Sequence, residues 1–301
     1  YYVSRFFPQL AGRVVGELEF EGYRPGGQGA FYIQYHYIAA QADAENRVNI
    51  NTADDGSTWS TTHLRYHARF RRLIESFGYE DMYLVDFETG NVVYSVQKEV
   101  DLGTSVLTGP YRRSGLGAVV REIQRNPARR SVQLVDYQRY QPVLTAPAAF
   151  VGAPIYNGPH VVGILVLRLP TSEINRIVTS NQQWQASGLG ASGQSFLISD
   201  DLLMRSNARA FIEQRAAYLD DLLAIGVNQP TVDRVDGFNT SILFQPVNTE
   251  AARAVQGGEA GAMIQSNAFG QDVLTSYTPL DINGLAWYIL TEIDLQEAYE
   301  P

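Results

Sequence analysis

The sequence contains no cysteine among its 301 residues. That absence excludes a disulfide framework, thiol catalysis, cysteine zinc sites and iron–sulfur clusters. Lysine is almost absent too: Lys98 stands alone against 22 arginines, which indicates a coding bias rather than nucleic-acid binding. The net charge of −9 also argues against a general nucleic-acid binder, so we expect no nucleic-acid partner.

Long apolar runs are missing as well. No window reaches the roughly 18 consecutive apolar residues of a membrane span, and no secretory signal is present. The chain opens on Tyr1 rather than methionine and stops at Pro301, so we expect an excised piece of a longer protein. The composition, 45% hydrophobic and 18% charged, is that of a globular protein. At roughly 100–200 residues per domain, the length predicts two domains.

Charge is distributed unevenly along the chain. Residues 1–80 carry 8 basic and 9 acidic side chains, a net charge of −1. Residues 81–180 carry 10 and 8, a net of +2, and residues 181–301 carry 5 and 15, a net of −10. The middle and the end of the chain are therefore predicted to be separate units.

The first 79 residues show helical periodicity. Apolar side chains recur on one helical stripe in three places: Phe7, Leu10, Val14 and Leu18; Phe31, Tyr35, Ile38 and Ala42; Tyr66, Phe70, Leu73 and Phe77. Pro25 and the polar stretch 51–60 interrupt the pattern, and Gly78 is a natural stop. These stripes predict a long helical stalk before the first strand.

Two similar series of strands follow the helical region. The first has a hairpin at 82–96, a helix near 116–126, a strand candidate at 131–136 and a longer hairpin at 148–169. A helix from 172 to about 184 leaves this module.

The second series starts at 195–199, about 113 residues after the first. A returning strand at 202–205 and a helical middle at 208–225 follow, and three strands near 262–264, 272–277 and 286–293 close the module. The repeated order predicts duplicated domains with antiparallel sheets and helices on one side, an α+β fold.

Several runs of residues carry a family resemblance. They are YEDMYLVDFETGNVVYSV at 79–96, LTGPY at 107–111, APAAF at 146–150, GASGQSFLI at 190–198 and SYTPL at 276–280. In this order they resemble the double-Cache family, the extracytoplasmic sensor regions of bacterial chemoreceptors, histidine kinases and nucleotide cyclases. The resemblance covers roughly residues 28–298. Within the family, the sensor regions of membrane-bound nucleotide cyclases and chemoreceptors are the most similar.

The resemblance implies an architecture and a function. A helical stalk at 1–79 would be followed by a membrane-distal PAS-like module at 80–187 and a membrane-proximal one at 188–301. The segment would be the periplasmic portion of an inner-membrane receptor, with membrane helices outside it and a homodimer in the full-length protein. The distal module would bind a small molecule, and a cytoplasmic cyclase, chemoreceptor signalling or kinase domain would respond.

Catalysis within this segment is not expected. No nucleophile elbow, Walker loop or kinase signature occurs, and the GxGxxG run at 188–193 lacks the strand before it that a dinucleotide site needs. His63 and His67 share a helix face at i, i+4, but Leu64 replaces the glutamate of zinc proteases, which favours packing roles. We therefore predict no metal and no cofactor. A periplasmic enzyme and an interaction domain without a ligand are the alternatives.

Aromatic and charged side chains gather in two loops of the first module. Tyrosine offers a ring and a hydroxyl, arginine can clamp a carboxylate with two bonds, and aspartate can hold an ammonium group. The alternative is that the arginines are surface charges and the tyrosines pack at a rim. We predict that the ligand contacts Tyr111, Arg112, Asp136, Tyr137 and Tyr140, with walls formed by Tyr83, Tyr94 and Phe150.

The type of ligand stays open at this stage. Amino-acid sensors of the family place a Tyr–Arg–Trp–Tyr set and a later aspartate around their ligand. Tyr111 and Arg112 fall in the comparable loop and Asp136 is a candidate for the acid, but no tryptophan occurs in 81–180. That departure puts amino-acid sensing in doubt and leaves amines, carboxylates and nucleobases as alternatives.

Overall fold

The computed structural model describes residues 1–14, 17–41 and 46–299, and it divides the chain into two compact units. The first unit is Tyr1–Pro170, and the second begins at Thr171. The first holds a five-stranded sheet and the second a four-stranded sheet, both antiparallel and accompanied by helices. The predicted α+β fold is thereby confirmed. The module boundaries at 79/80 and 187/188 remain predictions.

The region before the first strand is helical but interrupted. Its α-helices are α1 (Phe7–Leu10), α2 (Phe20–Tyr23), α3 (Gly27–Gln34) and α4 (Thr58–Phe77), with π-helical turns at Tyr2–Phe6 and Tyr35–Ala39 and a 3₁₀ turn at Arg47–Asn49. A long continuous stalk is not seen in the described part of this region, where the longest helix is α4, with 20 residues. Ala42 of the second apolar stripe lies outside the described residues.

Local capping explains the ends of α4. The Ser57 side chain accepts a hydrogen bond from the Ser60 N–H at the start of the helix, and Gly78 ends it in the left-handed conformation with φ 72°. Ser57 is a common N-terminal cap and Gly78 a common C-terminal cap, because each supplies partners for backbone groups that the helix itself leaves unpaired. The stop predicted at Gly78 is confirmed.

The first unit is built on a sheet of strand order β2-β1-β5-β4-β3. Its strands are β1 (Asp81–Asp86), β2 (Val92–Ser95), β3 (Gln133–Tyr140), β4 (Ala146–Asn157) and β5 (His160–Leu169), with α5 (Gly115–Arg125) between β2 and β3. Both predicted hairpins are present.

Alternation of side chains gives this sheet two buried faces. Tyr83 in β1 and Ile164 and Val166 in β5 join the core that contains α5. Met82, with partly buried Leu165 and Leu167, faces the core that contains Ile74 of α4. The residue after Leu167, Arg168, therefore points to the α5 face.

The second unit is built on a sheet of order β6-β9-β8-β7. Its elements are α6 (Thr171–Val178), a 3₁₀ turn (Ser180–Gln182), β6 (Gln194–Ser199), α7 (Arg209–Glu213), α8 (Arg215–Ala224), α9 (Gln229–Phe238), α10 (Glu250–Gln256), β7 (Gly261–Ser266), β8 (Asp272–Pro279), β9 (Trp287–Asp294) and α11 (Leu295–Tyr299). In the described parts of the chain, no helix combines the length and the hydrophobicity that crossing a bilayer requires.

The segment predicted to return at 202–205 does pair with β6, but through an isolated bridge and not as a regular strand. Met204 makes only an isolated bridge to Ile198, and Leu203 makes one to Pro246. The Arg205 N–H donates to the Leu197 carbonyl and the Ser199 N–H donates to the Leu203 carbonyl. The Met204 N–H donates to the distant Gln245 carbonyl, and Leu202 adopts a positive φ of 56°.

Candidate ligand site in the first unit

A row of three cross-strand partners forms the floor of the candidate site. Phe150 in β4 pairs with Arg168 in β5, and Arg168 pairs with Asp81 in β1. All three are almost fully buried. Arg168 Nε lies 3.0 Å from Oε2 of Glu80, and the backbone N–H groups of Val96 and Gln97 donate to Oδ1 of Asp81 at 2.9 and 3.1 Å.

Asp101 and three tyrosines complete the cluster above this row. The hydroxyl of Tyr140, the last residue of β3, donates to Oδ2 of Asp101. The Tyr140 ring packs on Phe150 at 5.1 Å and on Tyr111 at 6.4 Å between centroids, and Tyr83 packs on Phe150 at 6.2 Å. We call the set of Asp81, Tyr83, Asp101, Tyr111, Tyr140, Phe150 and Arg168 the polar cluster.

Six polar atoms of the cluster are buried without a hydrogen-bond partner among the described residues. Three of them are Oδ2 of Asp81, the hydroxyl of Tyr83 and Nε of Arg168, which is ion-paired with Glu80. The other three are Oδ1 of Asp101, the hydroxyl of Tyr111 and Nη1 of Arg168. An unpaired buried polar group costs free energy, so buried groups of this kind are rare and need an explanation. Together they offer an acceptor, a hydroxyl and a cationic donor to a small polar molecule.

Burial dominates the electrostatics of the cluster. It raises the pKa of Asp101 to about 7, an effect that the Tyr140 hydrogen bond and Arg168 oppose and that Asp81 and Glu99 reinforce. Burial also raises the pKa of Asp81, against the pull of Arg168. For Arg168 itself burial favours the neutral form, but Tyr83, Asp81 and the nearby glutamates outweigh it and raise its pKa. The cluster therefore keeps a charged guanidinium beside a carboxyl that is balanced between its two forms.

The loop that carries Asp101 is held by the N-terminal helices. The Gln34 amide, on α3, donates to the carbonyls of Val100 at 2.9 Å and Leu102 at 2.7 Å. The Tyr2 hydroxyl donates to the Gln34 side-chain oxygen at 2.9 Å, and both side chains are buried. We call these contacts the Gln34 clasp.

The structure brings together four of the eight side chains predicted for the site. Tyr83, Tyr111, Tyr140 and Phe150 all belong to the polar cluster.

The other four predicted side chains lie elsewhere in the first unit. Tyr94 is on the opposite face of the sheet, 2.7 Å from Nδ1 of His67, and the Tyr137 hydroxyl donates to the carbonyl of Pro170 at 3.1 Å. Arg112 is exposed and donates to the Gly109 carbonyl, and half-buried Asp136 accepts the Tyr137 N–H.

Sequence reasoning did not select Asp101, Asp81 or Arg168. Arg168 carries a signal that could have been used, because it interrupts an apolar run in β5 at a position that alternation directs to the core. Asp101 carries no comparable local signal, since its burial results from contacts with Tyr140 and the N-terminal helices.

A cavity of about 290 Å³ opens beside the polar cluster. Arg112, Arg113 and Arg139 line it, and Tyr111 belongs to both the cavity and the cluster. Three guanidinium groups favour the binding of an anionic ligand in this cavity. Arg112, which the sequence analysis predicted as a ligand contact, therefore lies beside the polar cluster and not within it.

The histidine pair of α4 is part of the core. His63 and His67 stack at 4.3 Å between ring centroids. His67 Nε2 donates to the Val48 carbonyl at 2.7 Å, which makes Nδ1 the acceptor of the Tyr94 hydroxyl. Burial lowers the pKa of His63 to about 3 and that of His67 to about 4, with the Lys98 ammonium contributing to both shifts. Both imidazoles are therefore uncharged at neutral pH. Their rings are packed in the core of the first unit.

No protein-family model matches the chain, and no curated protein matches it. Solved structures do match. An extracellular ligand-binding receptor from Desulfohalobium retbaense shares 11% identity at a TM-score of 0.48, covering 88% of this chain and 37% of that chain. The chain thus spans little more than a third of that receptor chain.

Two further matches span nearly the whole of both chains. The ligand-binding domain of the Pseudomonas aeruginosa amino acid chemoreceptor PctB, in complex with L-Arg, shares 14% identity at a TM-score of 0.47, covering 90% of this chain and 91% of that chain. The periplasmic sensory domain of the Campylobacter jejuni chemoreceptor Tlp1 shares 12% at 0.45, covering 90% and 93%.

Proposed function

We propose that the chain is the extracytoplasmic sensor region of a bacterial transmembrane receptor and binds a small polar molecule in the polar cluster of the first unit. The observation that carries this proposal is the set of unpartnered atoms on Asp101, Tyr111 and Arg168. A ligand that pairs with them would replace three unfavourable desolvations by charge-assisted hydrogen bonds. The receptor would pass the signal to a cytoplasmic output domain outside this segment.

The arrangement of charge suggests the chemistry of the ligand. The guanidinium of Arg168 suits a carboxylate or another oxyanion, and Oδ1 of Asp101 suits an ammonium, amide or hydroxyl donor. Phe150 and the three tyrosine rings supply apolar walls. A small molecule with an anionic group and a hydrogen-bond donor fits this set, and amino acids are one such class. The proposed role is binding, without a catalytic step.

The Gln34 clasp supports a route for the signal. A ligand on Asp101 acts on the loop 100–102, whose carbonyls bind Gln34 of α3. Movement of this loop would therefore be passed to the N-terminal helices. A ligand shifts such an equilibrium only by its difference in affinity for the two states. In the full-length receptor, a homodimer and flanking membrane helices would carry the change further.

The first test is a thermal-shift screen of small metabolites on the intact chain, because a ligand at 100 times its Kd adds about 2.7 kcal/mol of stability. Titration calorimetry then compares Asp101→Asn and Tyr111→Phe with the controls Asp136→Asn and Arg112→Gln. We expect Asp101→Asn to weaken binding by about 10- to 150-fold, the value of a charge-assisted hydrogen bond. The controls should bind as tightly as the parent.

Two outcomes would contradict the proposal. If Arg112→Gln lost binding while Asp101→Asn kept it, the ligand would lie in the arginine-lined surface cavity instead. If no metabolite stabilised the chain, the sensor assignment would lose its support in this unit.

A further inference from the structure

The second unit has a buried carboxyl on the core face of its own sheet. In β9, Tyr288, Leu290 and Glu292 alternate toward the helices, and Tyr288 and Leu290 belong to the core cluster of this unit. Glu292 is only 4% exposed, although a core-facing position in β9 is normally filled by an apolar side chain. A charged residue is rarely buried in this way unless it is paired.

Glu292 is the middle of a polar row across three strands. It pairs with Gln194 in β6 and with Thr275 in β8, and the side chains of both form hydrogen bonds to its carboxyl. Its Oε1 atom is nevertheless buried without a hydrogen-bond partner among the described residues. The row therefore holds the carboxyl in place and leaves one oxygen unused.

That carboxyl lines a cavity of about 200 Å³. Other lining side chains are Gln194, Arg209, Glu213, Phe269 and Asp294. At about 30 Å³ per water, this volume corresponds to roughly six or seven waters. It fits a small molecule of a few heavy atoms.

The cavity has an excess of negative charge. Its one cationic wall among the described residues is Arg209, which is already engaged by Oε2 of Glu213 at 2.9 Å and by the carbonyls of Gly193 at 2.7 Å and Gly190 at 3.2 Å. Glu292 and Asp294 are not matched by a further cation in the described lining. The excess negative charge of the lining therefore favours the binding of a cationic ligand.

The strand register places Glu292 where the first unit has Arg168. In the first unit the row runs Asp81, Arg168, Phe150 through β1, β5 and β4. In the second unit it runs Gln194, Glu292, Thr275 through β6, β9 and β8, the strands in the same sheet order. The two sheets thus present opposite charges from the same position.

We propose that the second unit contains a second binding site, which takes a small aliphatic ammonium ion with Glu292 as its anionic partner. The inference goes beyond the proposed function, because it assigns a ligand to the unit to which that function gives none. The ammonium pairs with the Glu292 carboxylate that lines the cavity, and its short alkyl part lies against Phe269 and Val273. The site is independent of the polar cluster.

Binding at this site depends on pH. Burial raises the pKa of Glu292 to about 7, an effect that the hydrogen bonds of Gln194 and Thr275 oppose. The other titratable groups that face the cavity are Arg209 and Glu213 on α7 and Asp294 on β9. Because the ionised fraction of a group with this pKa rises about tenfold between pH 6 and pH 8, the affinity for an ammonium ion rises by about the same factor.

The experiment uses n-butylamine as the probe and n-butanol as its neutral counterpart, in calorimetric titrations of the intact chain at pH 6 and pH 8. We expect the amine to bind more tightly at pH 8 and the alcohol not to bind. Glu292→Gln should weaken amine binding by about 10- to 150-fold, while Asp101→Asn should leave it unchanged. The latter comparison separates this site from the one in the first unit.

A second variant tests the same site independently, in case Glu292→Gln fails to fold. Ala210 lines the cavity from an exposed position on α7, so Ala210→Leu should fill the cavity and weaken amine binding without disturbing the core. Absence of amine binding at about 10 mM, equal binding of butanol, or full binding by both folded variants would each overturn the proposal.

Discussion

The burial of Asp101 works against the stability of the ligand-free protein. An ionised carboxylate in a closed core loses its hydration, and only the Tyr140 hydroxyl among the described groups compensates it directly. Its folded pKa of about 7 compares with an ordinary value of 3.8. A raised carboxyl pKa means that the folded state binds the proton more tightly than the unfolded state. The associated stability is present below about pH 4 and is lost as the pH rises toward 7.

Asp101→Asn should therefore stabilise the ligand-free protein, and more so at higher pH. Between the ordinary and the folded pKa, the parent loses roughly 1.4 kcal/mol of stability for each rise of one in pH, so the gain at pH 8 has an upper bound of about 4 kcal/mol. At pH 4 the gain should be close to zero, because the parent carboxyl is then protonated in the folded state. Urea unfolding at pH 4, 5.5 and 8 measures the difference.

The control for this prediction is Asp136→Asn, which lies outside the polar cluster. Its effect on the free energy of unfolding should be small at every pH. An Asp101→Asn effect that is the same at pH 4 and pH 8 would show that the carboxyl is not destabilised by its surroundings.

At the scale of elements, α5 depends on a close approach to the loop that carries Tyr111. A Cβ on Gly117 would lie 2.6 Å from the Val106 carbonyl oxygen and 2.8 Å from that of Arg112. Both contacts are with backbone, which cannot move aside as a side chain can. The glycine thus sets how near the helix comes to the wall of the candidate site.

Gly117→Ala should lower the free energy of unfolding by about 1–3 kcal/mol, because it overpacks this contact. Gly237 is the matched control: it is exposed near the end of α9, and a Cβ there would meet nothing within 4 Å. Gly237→Ala should stabilise by about 0.5–1 kcal/mol through reduced backbone entropy. Thermal or urea unfolding distinguishes the two, and a neutral Gly117→Ala would refute the close approach.

How far the sequence predicts these elements depends on the range of the forces that form them. The hairpins β1–β2 and β4–β5 follow from β-branched runs and glycine turns, which are local signals. The starts of α9 and α10 carry local caps as well, at Asn228 and Thr249. The segment expected as a strand at 202–205 pairs with β6 only through an isolated bridge, and its Met204 N–H binds the distant Gln245 carbonyl, a contact that the local sequence does not indicate.

The candidate site is harder to predict for the same reason. The aromatic walls Tyr83, Tyr140 and Phe150 are suggested by composition near the loops. The pairing of Arg168 with both Phe150 and Asp81 requires the register of three strands that are far apart in the sequence. The loop that carries Asp101 is held by the Gln34 side chain, which lies far earlier in the sequence. Such contacts have no local signature.

At the scale of the whole molecule, the two units have related sheets and opposite charges at the corresponding positions, Arg168 and Glu292. This predicts two separate responses to ligands in hydrogen–deuterium exchange. A metabolite that binds the polar cluster should protect backbone amides around 97–111 and in β5. Butylamine should protect amides in β6 and β9 instead, because each ligand orders the groups that surround it.

Variants make this exchange experiment specific. Asp101→Asn should remove the protection by the metabolite only, and Glu292→Gln should remove the protection by butylamine only. Protection of the same amides by both compounds would contradict a division into two independent sites.

The complete burial of Asp101 has a kinetic consequence. A ligand cannot reach a side chain that is 0% exposed, so the first unit must open before binding, and the contacts of Gln34 with Val100 and Leu102 are among those that would have to break. If opening is slow, the observed association rate levels off at high ligand concentration instead of rising in proportion to it. The apparent affinity is also reduced by the fraction of molecules that are open. If the proposed ligand binds Asp101, weakening the Gln34 contacts should speed both association and dissociation of the ligand.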